Sequence, residues 1–190
     1  MDLNLGTVSA LVRLSLSRPR DAATRLMGLN VPDDARWLGF VIVVLLSVIL
    51  SHASFTLMGE EAYGGSLLGV AVMQSTILLA TVVAVKGVGR FFGGKGTFPD
   101  TLLLMAWLQF VMLVFQLIQM ASIVLMPPLF GLVAIVSLVA FMWMLTQFIM
   151  ALHGFQSAAK VVMGIIFTIF ALSFLFAVVL ALFGLAPGMS

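Results

Sequence analysis

The stretch GRFFGGKG, residues 89–96, is the part of the sequence that most resembles a chemical motif. It fits the pattern G-x-x-x-x-G-K, with which a phosphate-binding loop holds a nucleotide. Such a loop needs Ser or Thr directly after the lysine, because that hydroxyl binds magnesium. This chain has Gly96 there and Thr97 one position later, and the stretch follows a long apolar segment instead of a strand. We therefore expect no nucleotide chemistry and no cofactor.

Other catalytic or metal-binding arrangements are also missing from the sequence. Cysteine is absent, and the two histidines, His52 and His153, fall at different depths of the predicted spans, so no metal site is expected. The acidic residues are terminal, in loops or at helix starts, which leaves no paired carboxylates. The net charge is only +2, which gives no support for nucleic-acid binding. The sequence predicts a protein that is not an enzyme.

Composition indicates the class of protein that must hold these residues. Hydrophobic residues make up 63% of the 190 residues, charged residues make up 8%, and the mean hydropathy is +1.25. Soluble domains carry about 25% charged residues. A soluble fold of this length has no means of hiding so much apolar surface, so the sequence predicts an all-α multi-pass membrane protein.

Apolar segments long enough to cross a bilayer occur five times, each of about 20 residues or more. Gly, Pro and polar residues separate them, as helix ends require. The predicted spans are 36–58, 66–90, 99–126, 129–152 and 158–184. They form a five-helix transmembrane domain over residues 34–185, followed by a short tail over 186–190.

The basic residues fall on one side of these spans. They precede or open the first span, or lie between the second and third or between the fourth and fifth: Arg13, Arg18, Arg20, Arg25, Arg36, Lys86, Arg90, Lys95 and Lys160. Glu60 and Glu61 fall on the other side. The positive-inside rule then predicts a cytoplasmic N-terminus and an outside C-terminus.

Residues 1–33 form a separate, cytoplasmic region. Apolar residues alternate with polar ones before Ser17-Arg18-Pro19 and recur at helical spacing after it. This pattern is typical of two short amphipathic helices that lie on the inner leaflet, with their arginines near anionic head groups. The alternative is a partly ordered tail that packs against its own spans.

The glycine-rich stretch has a structural interpretation too. Gly93 and Gly94 are expected to adopt left-handed backbone angles that end the second span. Thr97 is expected to cap the third span, with Pro99 in its first turn and Asp100 at the capping-box position. Lys86, Arg90 and Lys95 then hold this loop on the inner side.

This re-entry segment, GG-K-G-T-F before a third span, resembles the Yip family of Ypt-interacting-protein domain membrane proteins. The segment Ser17–Asp21 is similar to that family's pre-membrane segment, and residues 153–160 are similar to its turn between the last two spans. The likeness runs over roughly residues 15–185. Because the aspartate–leucine–tyrosine–glycine–proline motif of the eukaryotic members is missing, the chain resembles the bacterial branch. The resemblance implies an integral membrane protein without catalytic residues.

Polar side chains within the spans define a candidate site. His52, Gln74 and Gln116 are placed in the outer half, where they are expected to form a polar layer. Gln119 also lies in the outer half of the third span, Gln109 lies near its middle, and Gln147 lies toward the cytoplasmic side of the fourth. Such residues either line a hydrated path or join helices by hydrogen bonds. Small residues add two close-packing faces, Ser47, Ser51 and Ser54 on the first span and Ser173, Ala177, Ala181 and Gly184 on the fifth.

Two functions remain open from the sequence. The first is a membrane-organising or scaffold protein of the bacterial cytoplasmic membrane, which acts through lipids, a protein partner or a second copy of itself. Its contact surface would be the basic residues other than Arg36, together with His153. The second is a small transporter, channel or lipid-moving protein that uses the polar layer.

Overall fold

The computed structural model describes residues 5–59 and 66–182, and all regular structure in them is helical. The helices are α1 (Leu5–Ser17), α2 (Pro19–Met27), α3 (Asp33–Leu57), α4 (Leu67–Phe91), α5 (Phe98–Leu125), α6 (Phe130–His153) and α7 (Ala158–Leu182). A 3-10 turn over Pro127–Leu129 joins α5 to α6, at the prolines that separate the third and fourth predicted spans. Glu60, Glu61, Gly184 and the tail 186–190 lie outside the described residues.

Four of these helices are long and apolar enough to cross a membrane: Asp33–Leu57, Leu67–Phe91, Phe98–Leu125 and Pro127–His153, the last including the 3-10 turn. Their mean hydropathies are 2.1 to 2.4. The all-α, multi-pass prediction is thereby confirmed. The fifth predicted span coincides with α7, of which the segment Ala158–Phe170 is apolar, and its crossing of the membrane stays a prediction.

Local sequence chemistry sets the ends of the helices. The Thr97 Oγ1 accepts the Asp100 N–H at 3.3 Å and donates to the Asp100 carboxylate at 2.6 Å, which confirms the predicted cap of α5. Gly93 follows α4 with φ +82°, as expected for a glycine that ends a helix. The same expectation was wrong for Gly94, whose φ is not positive; a close neighbour, described below, explains that glycine.

Helix α5 lies at the centre of the bundle, where it contacts α2, α3, α4 and α6. Leu104, Val111, Met144 and Phe148 of α5 and α6 are completely buried in this core. The outer surfaces are apolar as well, and Leu68 of α4 is 74% exposed. A bundle that is apolar both inside and outside is typical of a chain surrounded by lipid.

The predicted N-terminal helices are present, and they pack on the bundle. Ala22 and Ala23 of α2 are completely buried, and α2 lies against α6. On α1, Leu11 and Ser15 are buried, and the Trp107 Nε1 of α5 donates to the Ser15 Oγ at 2.9 Å. The apolar faces of α1 and α2 therefore contact their own spans, as the second interpretation expected. A position on the inner leaflet stays a prediction.

Candidate functional site

One end of the bundle gathers the charged and glycine-rich segments. It comprises the N-termini of α3 and α5, the C-termini of α4 and α6, and the loops 92–97 and 154–157, and we call it the basic end. Arg36 Nη1 of α3 lies 3.5 Å from Asp100 Oδ1 of α5, which joins two of these helix ends. The Arg36 Nε also donates to the Val31 carbonyl at 2.8 Å, so this arginine has a structural role.

His153, at the last position of α6, lies at the centre of the basic end. Its side chain is only 3% exposed. The Nδ1 atom accepts the Gly96 N–H at 3.2 Å, and the Nε2 atom lies 3.1 Å from the Val85 carbonyl oxygen. Because Nδ1 is an acceptor, the proton of a neutral ring is on Nε2, which donates to Val85. The Phe155 ring stacks on the imidazole at 5.4 Å. One side chain thus ties α6 to α4 and to the loop before α5.

The glycines of the phosphate-loop pattern surround this imidazole. A Cβ atom at Gly89, Gly94 or Gly96 would overlap the His153 ring. These are the two glycines of G-x-x-x-x-G-K and the one that follows the lysine. The pattern therefore reflects the close approach of one backbone segment, residues 89–96, to a buried histidine at three glycine positions. Gly93, by contrast, has no neighbour that a Cβ would meet and is needed for its backbone angle.

The location of His153 differs from the sequence-based expectation. The sequence placed it at the membrane interface as a contact for lipid or a partner, whereas the structure buries it. The reason is that its ring fills the space left by Gly89, Gly94 and Gly96, which are close to one another but far from His153 in the sequence. The sequence did hold a sign of this packing, because a glycine-rich loop and a histidine both fall at the same predicted end of the bundle.

The other predicted contact residues divide into two groups. The first group contacts other parts of the protein. Arg20 Nη2 donates to the Phe155 carbonyl at 3.2 Å, which attaches α2 to the α6–α7 turn. The Lys86 Nζ lies 5.7 Å from the centre of the Phe98 ring. The second group is exposed: Arg13, Arg18, Arg25, Arg90, Lys95 and Lys160. Ion pairs within the described residues involve Arg36 and none of these six cations. Their charges therefore face outward from the basic end and from the attached α1 and α2.

A second group of polar residues lies deeper in the bundle, around Ser47. The Ser47 Oγ accepts from Gln74 Nε2 at 2.6 Å and from Gln109 Nε2 at 3.3 Å. The Gln116 Nε2 donates to the Ser47 carbonyl at 3.3 Å and to the Ser51 Oγ at 2.8 Å. We call these five residues the Ser47 cluster. It links α3, α4 and α5 through one nearly buried hydroxyl.

The remaining polar residues of the spans are outside this cluster. His52 is exposed on α3, and the hydrogen bonds described for Gln74 and Gln116 go to Ser47 and Ser51, so the polar layer is centred on Ser47 instead. Gln119 Nε2 donates to Ser137 Oγ of α6 at 2.9 Å, and Gln147 is partly buried away from both groups. Within the part of the chain that the structure describes, no three His, Cys, Asp or Glu residues form a group able to hold a metal.

Comparison with known protein families identifies the family of this chain. The sequence model of the Yip1 domain matches residues 13–183, which takes in every described helix from the end of α1 to α7. The chain belongs to the Yip1 domain family. No curated protein and no solved structure matches it. The match confirms the resemblance noted from the sequence and identifies the protein as a multi-pass membrane protein of this family.

Sequence reasoning missed the central residue of the Yip1 domain's polar cluster. Ser47 was recognised only as a small residue that permits close helix packing. In the structure it accepts from two glutamines on two other helices. Ser51 and Ser54 share its helix face, but Ser54 Oγ only donates to the Leu50 carbonyl of the same turn. Of the small-residue face on α7, Ser173 is exposed, and Ala177, Ala181 and Gly184 lie outside the residues whose side chains are described.

Replacing Ser47 by Ala is expected to destabilise this Yip1 domain by about 1–2 kcal/mol. Interhelical hydrogen bonds in membranes average about 0.6 kcal/mol, and the substitution removes the acceptor of two of them. The matched control is Ser54→Ala, which removes only a bond within α3. Reversible unfolding of the purified variants in mixed micelles would measure the difference. Equal stability of the two variants would contradict the role of Ser47 as a common acceptor.

Proposed function

We propose that this Yip1 domain is a non-enzymatic membrane-organising protein, and that its basic end attracts anionic lipid head groups. The observation that carries the proposal is the set of six exposed cations, which have no ion-pair partner in residues 5–59 and 66–182. Four of them, Arg18, Arg90, Lys95 and Lys160, lie at or next to the junctions of helices. Each Lys or Arg near an anionic leaflet contributes about 1 kcal/mol of favourable electrostatic free energy.

The attachment of α1 and α2 supports the same proposal. The Arg20–Phe155 and Trp107–Ser15 hydrogen bonds fix these helices against the spans. Their arginines are therefore held beside the basic end instead of on a free tail. We propose that this end faces the cytoplasm of a bacterium, that residues 34–185 cross its inner membrane five times, and that the C-terminus is outside. The distribution of Lys and Arg is the argument for this orientation.

Transport through a polar path is the rival function. It would need polar groups that are free to meet a passing solute. One amide N–H of Gln74 and one of Gln109 instead donate to the Ser47 hydroxyl, and the Gln116 amide donates to Ser47 and Ser51. No acidic residue lies within the described length of α4, α6 or α7, which counts against an ion-coupled mechanism. The contacts around Ser47 therefore favour helix-to-helix bonding, and we propose the organising function alone.

The test compares the lipid neighbours of the reconstituted protein. Energy transfer from a dye on the protein to labelled phosphatidylglycerol or to labelled phosphatidylcholine would report which lipid is enriched. We expect a preference of about twofold or more for the anionic lipid, falling as salt shortens the screening length. The triple variant Arg90→Gln, Lys95→Gln, Lys160→Gln should weaken this preference. The matched control keeps the charges, with Arg90→Lys, Lys95→Arg and Lys160→Arg.

Two outcomes would argue against the proposal. Equal enrichment of both lipids around the unchanged protein would remove the role of charge. A preference that survives in the neutralised variant would mean that other surfaces select lipids. Ion or lipid flux through vesicles containing the protein, and absent from empty vesicles, would support the rival function. Reporter fusions to the C-terminus would check the orientation, since a cytoplasmic reporter would contradict the five-span arrangement.

A further inference from the structure

A groove of about 220 Å³ opens between α4, α5 and α6, away from the basic end. Its floor is formed by buried side chains of α5 and α6, and its outer wall is formed by α4. The lining residues are Gln74, Ile77, Leu78, Thr81, Met105, Leu108, Gln109, Phe141 and Leu145. Six of these nine side chains are purely apolar. The groove is thus a largely hydrophobic recess between three helices.

Helix α4 forms one wall of the groove and is attached to its neighbours at several points. Toward one end, the Gln74 Nε2 donates to Ser47 Oγ of α3 at 2.6 Å. Toward the other, Gly89 lies against the His153 ring of α6. Along the rest of α4, Val82 is the one other residue among those described that is buried. Leu78, Leu79, Val82 and Val85 pack against the core between these contacts, so the groove is a local gap beside Leu108 and Leu145. Protein interiors seldom leave such a volume empty.

The depth of the groove restricts what is able to enter it. Thr81 precedes the end of α4 at Phe91 by a length of about 15 Å, half of a hydrocarbon core of about 30 Å. Ile77, on the rim, is 59% exposed, so the groove opens sideways toward lipid. A head group or a dissolved solute does not reach this level from the side. The tail of a lipid does.

The polar atoms of the groove agree with an apolar occupant. Gln74 and Gln109 are its amide residues, and their N–H groups donate to Ser47. The Thr81 hydroxyl donates to the Ile77 carbonyl of its own helix at 2.9 Å. Each of these polar side chains thus has a hydrogen-bond partner inside the protein, and the apolar walls favour contact with methylene groups.

We infer that this groove is a binding site for one acyl chain of a bilayer phospholipid, held between α4 and the α5–α6 pair. The inference is independent of the charge-based proposal above, because it concerns the tail of the lipid and not its head group. It assigns a role to the local gap that α4, α5 and α6 leave between them.

The test uses a phosphatidylcholine with a photoactivatable diazirine in the middle of one acyl chain, in nanodiscs of otherwise unlabelled phosphatidylcholine. After illumination, mass spectrometry of peptides would locate the adducts. We expect adducts to concentrate on the groove residues Leu78, Thr81 and Phe141. The Leu78→Trp variant, which fills the groove, should lower groove labelling about fivefold. The control Val83→Trp changes a residue of α4 that is 59% exposed and does not line the groove, and it should leave groove labelling unchanged.

A second variant, Thr81→Phe, fills the same groove from the next turn of α4 and is used if Leu78→Trp does not give folded protein. Labelling that is spread evenly over the exposed faces of α4 and α6, and is unaffected by groove-filling variants, would overturn the inference in favour of non-specific boundary lipid. Cross-links between two protein chains at Ile77 would overturn it in favour of a second copy as the occupant.

Discussion

Replacing His153 by Ala is expected to lower the free energy of unfolding by about 2–4 kcal/mol. The change empties the space that the ring fills, and buried large-to-small substitutions cost about 2–5 kcal/mol. It also removes the acceptor of the Gly96 N–H and the donor to Val85. The control is the other histidine, His52, which is exposed on α3. His52→Ala is expected to change stability by less than about 0.5 kcal/mol.

The measurement is reversible unfolding of both variants in mixed micelles, followed by circular dichroism or by steric trapping in bicelles. A His153→Asn variant adds a finer control, because its amide oxygen is placed to accept the Gly96 N–H while the rest of the ring is lost. We expect its stability to lie between those of the Ala variant and the unchanged protein. Equal effects of His153→Ala and His52→Ala would show that the basic end is not held together by His153.

Replacing Gly89 by Ala is expected to destabilise the protein by about 1–3 kcal/mol, because the new methyl group overlaps the His153 ring and overpacking costs about that much. The matched control is Gly87→Ala, two residues earlier in the same helix. Gly87 is exposed, and a Cβ there would meet nothing within 4 Å. Since Ala favours helix over Gly by about 1 kcal/mol, this control is expected to be neutral or slightly stabilising. Gly89→Ala should therefore lower the free energy of unfolding, whereas Gly87→Ala should not.

A double variant separates this explanation from a general sensitivity of α4. With His153 already replaced by Ala, the overlap at Gly89 is gone, so Gly89→Ala should cost little or nothing. The expected coupling between the two positions is about 1 kcal/mol or more, as found for residues in direct contact. Additive effects of the two substitutions would contradict the packing of Gly89 against His153.

The sequence alone was sufficient for features that depend on local composition. Apolar stretches of about 20 residues predicted the membrane class, because a backbone in lipid must satisfy its hydrogen bonds within each helix. Thr97 and Asp100 predicted the start of α5, because a cap depends on residues within a single turn. Gly93 predicted the end of α4 for the same reason. Spans, turns and the family resemblance followed from neighbours in the chain.

Only the tertiary structure decided what the polar residues and the remaining glycines contact. Gly96 and His153 are 57 positions apart, Val85 and His153 are 68 apart, and Gln109 and Ser47 are 62 apart. Helical periodicity gives the face on which a residue lies, but not which helix that face meets or at what depth. From the sequence, Gly94 was expected to be a turn residue. In the structure it leaves room for the imidazole ring of His153, which becomes apparent only when α4 and α6 pack together.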